Sequence, residues 1–368
     1  MKTVKVAMIG VGAISGIYLE NIAQIFKEVE LVGVCDLVRE RAEQAQEKYQ
    51  IKKLYETMQD AFADTEVDII LNLTRPYEHY EVTKAALLAG KHVYSEKPLG
   101  ASFEEGKALA ALAEENGLML GGAPDTFLGS GIQTCRRLID DGYIGEPIGA
   151  AAFMICHGHE TWHPDPEFYY KYGGGPMLDM GPYYITALIN LMGGVAGVTG
   201  VTKSSFAQRT ITSEPKSGTM IEVEVPTYIT GILNFDSGAV GTIFTTFDVY
   251  YKQQARFEIY GTKGTLFVPD PNCFGGPITL FRPEDGEYKE MPLLYDYKEN
   301  SRGLGLADMA KALQTGRDFR ANYKQTYHVL DIMTSIEKSS EEKRYIPLAT
   351  HYERSLPMGN NAIHGLLD

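Results

Sequence analysis

The sequence predicts an α/β protein of two domains, the first built on a parallel sheet and the second an α+β domain with a large, mostly antiparallel, open-faced sheet. Two observations predict this. The chain has 368 residues, which is too long for one ordinary hydrophobic core. Short apolar runs alternate with helical patterns up to about residue 122, and longer strand-like runs follow. We therefore place a boundary near residue 123, which gives domains 1–123 and 124–368.

The first domain is predicted to be a Rossmann domain. Its strand-like runs are 4–9, 31–35, 67–73, 92–94 and 118–120. Helical patterns lie between them, at 14–26, 39–49, 78–89 and 103–116. Strands and helices that alternate through short links predict a parallel sheet covered on both faces. Right-handed crossovers then leave a Rossmann winding as the simplest topology.

The second domain is predicted from longer β patterns. Strand-like runs occur at 148–155, 227–235, 239–247, 256–260 and 265–268, and helical patterns return near 304–314 and 325–339. Asp236-Ser237-Gly238 is typical of a hairpin turn, and Gly261-Thr262-Lys263-Gly264 resembles another. The runs predict a mostly antiparallel sheet. Its exposed face favours a homo-oligomer, a dimer or tetramer.

Composition argues against several classes of protein. The formal net charge of -14 disfavours nucleic acid and anionic membrane surfaces, because both reward Lys and Arg. No apolar run is long enough to span a bilayer, and the N-terminus lacks the apolar core of a signal peptide. The four cysteines form no CxxC pair. We expect a cytoplasmic protein with reduced thiols and with neither a nucleic-acid nor a membrane partner.

The first strand-to-helix junction, Gly10-Val11-Gly12-Ala13-Ile14-Ser15-Gly16, is a candidate dinucleotide site. Gly10 permits a tight turn, Gly12 permits close approach of a pyrophosphate, and the helix N-terminus offers free N–H groups. Asp36 ends the second strand, where a carboxylate accepts from ribose hydroxyls and repels a 2′-phosphate, which favours NAD(H) over NADP(H). The alternatives are a plain strand-to-helix turn and, for Asp36, an N-cap.

Two further motifs point to a catalytic cleft. Ser95-Glu96-Lys97-Pro98-Leu99 ends a strand at the carboxyl edge of the predicted sheet, where ligands of open α/β folds bind, and the alternative is a solvated lysine. Gly173-Gly174-Gly175-Pro176-Met177-Leu178-Asp179-Met180-Gly181 predicts a glycine loop beside a ligand. Asp179 and Tyr183 are four residues apart, so they share one helix face, and Pro182 is tolerable if the helix begins just before it. Alternatively, Asp179 is a cap and Tyr183 a core residue.

An aromatic and histidine-rich loop directly precedes the glycine run. It holds the single Trp and three of the eight histidines of the chain. Its members are His157, His159, Trp162 and His163, followed by Phe168, Tyr169, Tyr170 and Tyr172. Aromatic faces with interleaved donors suit a sugar ring, so we expect His159, Trp162 and His163 to contact the substrate. The alternatives are a packed cover over the sheet and a metal site, because the histidine spacing is ligand-like; we expect no metal.

The motifs that begin at Gly10, Glu96 and Gly173 together resemble those of the Gfo/Idh/MocA family (glucose–fructose oxidoreductase, inositol dehydrogenase and rhizopine catabolism). The resemblance covers nearly the whole chain. It implies an active site between two domains, and an NAD(H)-dependent oxidoreductase acting on a sugar, sugar derivative or inositol. It also implies that Lys97 helps to transfer the alcohol proton and that the Lys97–Pro98 peptide is cis.

Two positions depart from the family pattern. Tyr183 stands where many members carry His, which shifts the expected acid/base group from imidazole to phenol. Pro124-Asp125-Thr126-Phe127 stands where many members have an Arg-containing segment. The family also leaves two other functions open, an NAD-dependent glycosidase that works by transient oxidation and elimination, and a non-catalytic regulator that senses NAD and a sugar.

The expected site combines these motifs. Lys97, Asp179 and Tyr183 are the expected catalytic residues and also contact the substrate. We expect burial or a nearby positive charge to lower the pKa of Lys97 toward the working pH. Whether Lys97 or Tyr183 is the main proton carrier stays open. The expected cofactor contacts are Gly10, Gly12, Ala13, Ile14, Ser15, Asp36, Thr74, Pro76, His79, Glu96 and Lys97.

Overall fold

The computed structural model describes residues 3–251, 256–359 and 364–368, and its first part is a parallel sheet flanked by helices. The strands are β1 (Val4–Ile9), β2 (Val29–Cys35), β3 (Lys53–Leu54), β4 (Ile69–Asn72), β5 (His92–Ser95) and β6 (Leu120–Gly122). The helices are α1 (Ser15–Gln24), α2 (Arg39–Tyr49), α3 (Met58–Ala63), α4 (His79–Leu88) and α5 (Phe103–Glu115). The strand order β3-β2-β1-β4-β5-β6 confirms the predicted Rossmann topology.

The central strands of this sheet are buried almost throughout, because helices cover both faces. The strand order reverses between β1 and β4, so the crevice at their carboxyl ends is where sheets of this kind bind ligands. The strand expected at 118–120 begins two residues later, as β6. Neither β3 nor α3 was predicted, since two and six residues are too few for a periodic pattern.

The second part contains a nine-stranded sheet in the order β16-β15-β14-β13-β7-β12-β11-β8-β17. Its elements are α6 (Ser130–Asp140), β7 (Pro147–Ile155), α7 (Gly175–Met192), β8 (Val195–Lys203), β9 (Gln208–Thr210), β10 (Met220–Glu222), β11 (Tyr228–Phe235), β12 (Val240–Thr246), β13 (Arg256–Gly261), β14 (Thr265–Phe267), β15 (Ile278–Phe281), β16 (Tyr288–Met291), α8 (Leu304–Thr315), α9 (Tyr323–Glu342) and β17 (Ile346–Pro347). Strands β7 and β12 run parallel, and the other described neighbours run antiparallel. The mostly antiparallel sheet is therefore confirmed.

Both predicted hairpin turns join antiparallel strands. Gly238 lies between β11 and β12 with φ of 88°, a left-handed conformation that favours glycine. The segment 261–264 joins β13 to β14. The two-stranded pair of β9 and β10 lies outside the large sheet and was not predicted.

Helix α7 corrects one expectation about the second motif. The helix was expected to begin just before Pro182, but it begins at Gly175 and runs through that proline. An interior proline removes one backbone hydrogen bond and crowds the preceding turn. Helix α7 is buried along nearly its whole length, so tertiary packing overrides this local cost. The expectation that Asp179 and Tyr183 lie on one helix is confirmed.

One face of the nine-stranded sheet is covered by α7 and α9, and the other face is open. Gly200 and Gly231 allow Ile336 of α9 to approach the covered face closely. Alternate residues of β11 point the other way, and Ile232 is 45% exposed. The open-faced sheet is thus confirmed.

Two observations bear on the compositional expectations. All four cysteines, Cys35, Cys135, Cys156 and Cys273, are free thiols. Among the described residues, no helix is both long enough and apolar enough to cross a membrane.

Candidate active site

The turn between β1 and α1 has the geometry that the glycine motif predicts. Gly10 has φ of 95°, and a Cβ there would lie 2.7 Å from the carbonyl oxygen of Leu73, so a side chain does not fit. A Cβ on Gly12 would meet no atom within 4 Å, so open space lies over this glycine. Helix α1 begins without a side-chain cap and without an acidic residue in its first turn. Its N–H groups and positive dipole end are therefore available to an anion such as a pyrophosphate.

Asp36 lies beside this turn at the end of β2. Its Oδ2 accepts a hydrogen bond from the Val11 N–H at 2.6 Å, and its Oδ1 accepts from the Val38 N–H at 2.7 Å. The N-cap position of α2 is held by Val38, so the N-cap alternative for Asp36 is wrong. A carboxylate has about four acceptor positions, so both oxygens can still accept from ribose hydroxyls. The turn, the free helix end and this carboxylate together fit NAD(H).

Lys97 follows β5, and its ammonium group is held across the cleft by helix α7. Its Nζ donates to Oδ1 of Asp179 at 2.8 Å and to the Asp179 carbonyl oxygen at 2.7 Å. Glu96 accepts from the Lys97 N–H at 3.0 Å and from the hydroxyl of Tyr18 at 2.8 Å. Lys97 is therefore not a solvated surface lysine. The Lys97–Pro98 peptide is cis, as the family resemblance implies.

Asp179 binds two groups of the cleft at once. Its Oδ1 accepts from Lys97, and its Oδ2 lies 3.2 Å from Nε2 of His159. Burial opposes ionisation of this carboxyl, yet the Lys97 ammonium and His159 hold the pKa of Asp179 well below its usual range. Asp179 is therefore a carboxylate that orients a lysine on one side and a histidine on the other.

The expectation that the pKa of Lys97 falls toward the working pH is wrong. Burial alone would lower the pKa of this ammonium, but the negative charge of Asp179 outweighs burial and raises it above its ordinary value. The partner lies 82 positions away in the chain, so the local motif gave no sign of it. Lys97 remains positively charged at neutral pH.

Tyr183 lies one helical turn after Asp179, between two cations. The Lys97 Nζ is 5.2 Å from the centre of its ring, and Nη2 of Arg302 is 3.5 Å from its hydroxyl oxygen. Burial raises the pKa of Tyr183, and both cations counteract this. The sequence analysis missed Arg302, which directly precedes α8 and belongs to no recognised motif.

The aromatic loop surrounds His159. Its ring contacts the rings of Tyr169 at 4.2 Å, Phe247 at 4.7 Å and Trp162 at 5.2 Å between centroids. Trp162 is 61% exposed, so one side of its indole is open. Nδ1 of His163 accepts from the Asp165 N–H at 3.0 Å. The described part of the chain holds no group of three or more His, Cys, Asp or Glu side chains placed for a metal ion.

A buried network of ion pairs and hydrogen bonds anchors this loop. Arg209 of β9 donates to Glu160 at 2.8 Å and to Asp248 at 2.6 Å, and all three side chains are buried. The Tyr170 hydroxyl donates to the second oxygen of Glu160. The Glu160 carbonyl oxygen also accepts from the Thr212 N–H at 2.9 Å. The loop is therefore fixed to the β9 segment next to His159.

The other expected cofactor residues follow β4. The N–H and hydroxyl of Thr74 donate to Oδ1 of Asn72, and Pro76 begins a short 3₁₀ turn. His79 is buried beneath this loop. Its Nε2 lies 3.0 Å from the Thr74 carbonyl oxygen and its Nδ1 lies 2.8 Å from that of Pro98. The ring thus ties the Thr74 loop to the Lys97 loop, and its direct contact with a cofactor stays a prediction.

A Rossmann crevice that fits NAD(H), with a charged lysine and a buried tyrosine meeting across it, defines an NAD-binding oxidoreductase. Residues 4–122 match the family model described as an oxidoreductase family with an NAD-binding Rossmann fold. Residues 132–267 match the GFO/IDH/MocA C-terminal domain. The chain belongs to the Gfo/Idh/MocA family, and its cofactor is NAD(H).

Curated relatives match along most of their length. The chain is 23% identical over 347 residues to the myo-inositol 2-dehydrogenase of Thermotoga maritima, covering 94% of this chain and 98% of the relative. It is 28% identical to the NAD(+)-dependent scyllo-inositol 2-dehydrogenase of Bacillus subtilis, covering 72% and 73%. It is 26% identical to the D-xylose dehydrogenase of Paenarthrobacter nicotinovorans, covering 90% of each chain. All three are dehydrogenases.

Solved structures share the fold. An NAD-binding oxidoreductase from Klebsiella pneumoniae superposes with a TM-score of 0.83 at 22% identity, over 95% of this chain and 100% of that one. A levoglucosan dehydrogenase in complex with NADH and levoglucosan gives a TM-score of 0.81 at 18% identity, again over 95% and 100%. At these identities the likeness shows the fold alone.

Proposed function

We propose that this oxidoreductase oxidises a secondary hydroxyl of a sugar, sugar derivative or inositol, or reduces the matching ketone. The observation that carries the proposal is the group formed by Lys97, Asp179 and Tyr183 at the carboxyl edge of the parallel sheet. Relatives that act on inositols and D-xylose support this substrate class. Bound NAD(H) supplies the hydride acceptor or donor.

We propose that the glycine turn, the N-terminus of α1 and Asp36 hold the cofactor. Leu37, which the sequence analysis did not single out, adds an apolar side chain that is 95% exposed next to Asp36 and suits the face of the adenine ring. The remaining proposed contacts lie along the same crevice. They are Ala13, Ile14, Ser15, Thr74, Pro76, His79, Glu96 and Lys97.

Lys97 is proposed to bind and polarise the substrate hydroxyl. An ammonium has three N–H donors, and Asp179 uses two of them. The third is free to donate to the substrate oxygen and to stabilise negative charge on it as its proton leaves. Because the raised pKa keeps Lys97 charged, it does not accept that proton itself.

Tyr183 is proposed to be the proton carrier. Its side chain borders the Lys97 ammonium, and its phenol can take the hydroxyl proton during oxidation and return it during reduction. Asp179 orients Lys97, and His159 on its other oxygen presents a donor or acceptor to a neighbouring hydroxyl of the substrate. Trp162 and His163 are proposed to contact the sugar ring from the aromatic loop.

We also propose a domain boundary, a cellular location and an oligomeric state. We place the boundary between the NAD-binding domain and the substrate domain at residue 123, directly after β6. The four free thiols support a cytoplasmic protein. The open face of the nine-stranded sheet supports a homo-oligomer, a dimer or tetramer, paired through that face.

The test is a screen of sugars, inositols and glycosides with NAD⁺, in which NADH absorbance and aglycone release are followed together. We expect NADH to form with a sugar or inositol and no aglycone to be released. Aglycone release without net NADH would instead indicate the glycosidase. Tight NAD(H) binding without turnover of any compound would indicate the regulator.

A further inference from the structure

We propose that Arg302 acts on the reaction through Tyr183, by holding the phenol oxygen in place and stabilising the phenolate that forms when Tyr183 has lost its proton. Arg302 is thus a positioning residue. The inference rests on the proposed function in one respect, that Tyr183 carries the substrate proton. It adds to the site a residue that lies 119 positions after Tyr183 and outside all three sequence motifs.

The contact is directed at the reacting atom. Nη2 of Arg302 lies 3.5 Å from the hydroxyl oxygen of Tyr183, and the guanidinium carbon is 5.9 Å from the ring centre. At 3.5 Å the bond to the neutral phenol is weak. Charge-assisted bonds are typically about 2.7–2.9 Å long and roughly twice as strong as neutral ones. The same pair therefore gains energy when the phenol becomes a phenolate.

The side chain of Arg302 is fixed by neutral partners. Its Nη2 donates to Oδ1 of Asn272 at 2.6 Å, and its Nη1 donates to Oδ1 of Asn300 at 2.8 Å. No carboxylate of the described residues forms an ion pair with it. Its charge is therefore not cancelled by direct contact, in contrast to Lys97, whose ammonium is 2.8 Å from Asp179.

The backbone of Arg302 is held on both sides. Asn21 of α1 donates to the Arg302 carbonyl oxygen at 2.8 Å. The buried carboxyl of Asp125 accepts from the N–H of Gly303 at 2.9 Å and of Gly305 at 3.0 Å. Gly303 has φ of 101°, which lets the chain turn into α8 at this point. Three hydrogen bonds on Arg302 itself and two on the glycines that follow it hold this residue beside a buried phenol, which indicates a built position.

The charged and titratable groups that face Tyr183 come from several elements. Lys97 follows β5 and Arg302 precedes α8, and both favour the phenolate. Burial and the negative charge of Glu96 oppose it. Removing Arg302 leaves burial and Glu96 in place, so the pKa of Tyr183 must rise further.

This change alters the pH dependence of the reaction. Oxidation needs the phenolate, so its rate at neutral pH falls and its pH limb moves up when the pKa of Tyr183 rises. Because the equilibrium constant of the reaction does not depend on the enzyme, kcat/KM for reduction falls by the same factor at that pH. A loss of fold or of cofactor binding would also slow both directions, but it would leave the pH limb of oxidation where it is.

The kinetic experiment compares Arg302→Gln and Arg302→Lys with the parent, and Arg137→Gln serves as a control because that surface arginine pairs with Asp141 away from the cleft. We expect the pH limb of oxidation to move up by about one unit in Arg302→Gln, and oxidation at neutral pH to fall ~10-fold. Reduction should fall by the same factor at that pH, and Arg302→Lys should restore part of the shift of the limb. A loss of rate in Arg302→Gln with an unmoved limb would overturn the inference.

A second measurement needs no substrate. The tyrosinate absorbance of the parent minus that of Tyr183→Phe gives the titration of Tyr183 itself, and the same difference is measured in the Arg302→Gln background. We expect a higher titration midpoint without Arg302, and an unchanged midpoint would contradict the inference. If the parent oxidises no sugar or inositol, the proposed function fails, while this titration still decides the role of Arg302.

Discussion

At the scale of single residues, Asp179 separates the proposed roles of Lys97 and Tyr183. Its carboxylate and its carbonyl oxygen both hold the Lys97 ammonium, which keeps that lysine charged. In the proposed mechanism the charged lysine binds and polarises the substrate hydroxyl, and Tyr183, one helical turn after Asp179, moves the proton. The sequence left this choice open, and the ion pair across the cleft favours Tyr183.

Replacing Lys97 with Met tests the first of these roles. The variant keeps the length and the apolar stem of the side chain and removes the ammonium. We expect turnover to fall by ~10²–10³-fold, the usual contribution of one donor that stabilises negative charge developing on an oxygen. NAD(H) affinity, measured by calorimetry, should change far less, because Gly10, Gly12 and Asp36 lie at the other end of the crevice. A folded variant that turns over as fast as the parent would contradict the assignment.

Asp36 carries the prediction about cofactor choice. Asp36→Asn removes the negative charge and keeps one side-chain oxygen, which can accept from the N–H of Val11 or from that of Val38 but not from both. We expect NADP(H) affinity to rise relative to NAD(H) by about tenfold, because the repulsion of a 2′-phosphate is lost. Glu40→Gln, a neighbouring neutralised acid on α2, should leave the ratio of the two affinities unchanged. Equal binding of both cofactors by the parent would disprove the role of Asp36.

How much of the site could be predicted depends on where its residues lie in the chain. Gly10, Asp36 and Lys97 are visible because each sits in a short motif at a strand end. The raised pKa of Lys97 could not be predicted, because the carboxylate that raises it belongs to Asp179 on another element. Arg302 was invisible for the same reason, since its place beside Tyr183 comes from the packing of α8 and not from a local pattern.

At the scale of elements, the contrast between a local sequence pattern and tertiary packing again explains which helices were predicted and which were missed. Helix α2 was predicted with its observed bounds, because its polar, strongly helical sequence directly follows a clear strand. Helix α7 was missed over its first two turns, because glycines and two prolines conceal it. This helix is stabilised by burial on nearly all of its sides. A helix without an exposed face does not alternate apolar and polar residues, so its sequence shows no helical periodicity.

The aromatic loop gives the prediction at this scale. Arg209→Met removes the cation between Glu160 and Asp248 and leaves two buried carboxylates without it. Breaking such a buried pair typically costs about 3–5 kcal/mol in the free energy of unfolding. We also expect the KM for substrate to rise more than the Kd for NAD(H), because the loop carries His159 and Trp162.

Chemical denaturation and initial-rate kinetics check this expectation. Lys171→Gln is the matched control, since Lys171 and Glu224 form a surface ion pair worth about 0–1 kcal/mol. If Arg209→Met lowers stability by no more than the control does, the network is not what holds the loop. A change in Kd for NAD(H) with an unchanged KM would place the loop at the cofactor instead.

At the scale of the whole molecule, the open face of the nine-stranded sheet is the largest feature that the single chain does not explain. Strand register aligns Val201, Thr230, Phe244 and Phe153 in one row across four neighbouring strands. Val201 is 69% exposed, and Phe244 packs against Tyr228 at 4.8 Å and Phe153 at 6.1 Å between ring centroids. An exposed face with apolar side chains of this kind suits a second copy of the same face.

Ile232 lies on the next row of this face, paired with Thr199 and Thr242, and gives the last prediction. We expect the parent to sediment as a dimer or tetramer and Ile232→Glu to shift it toward the monomer. Burying an isoleucine is worth about 1.5–3 kcal/mol, and a two-fold interface loses it twice, so association should weaken by about 10²-fold or more. Leu88→Glu, on an exposed position of α4, should sediment as the parent does. A parent that is monomeric at all concentrations, or an Ile232→Glu variant that keeps the parent's mass, would show that the face is not the interface.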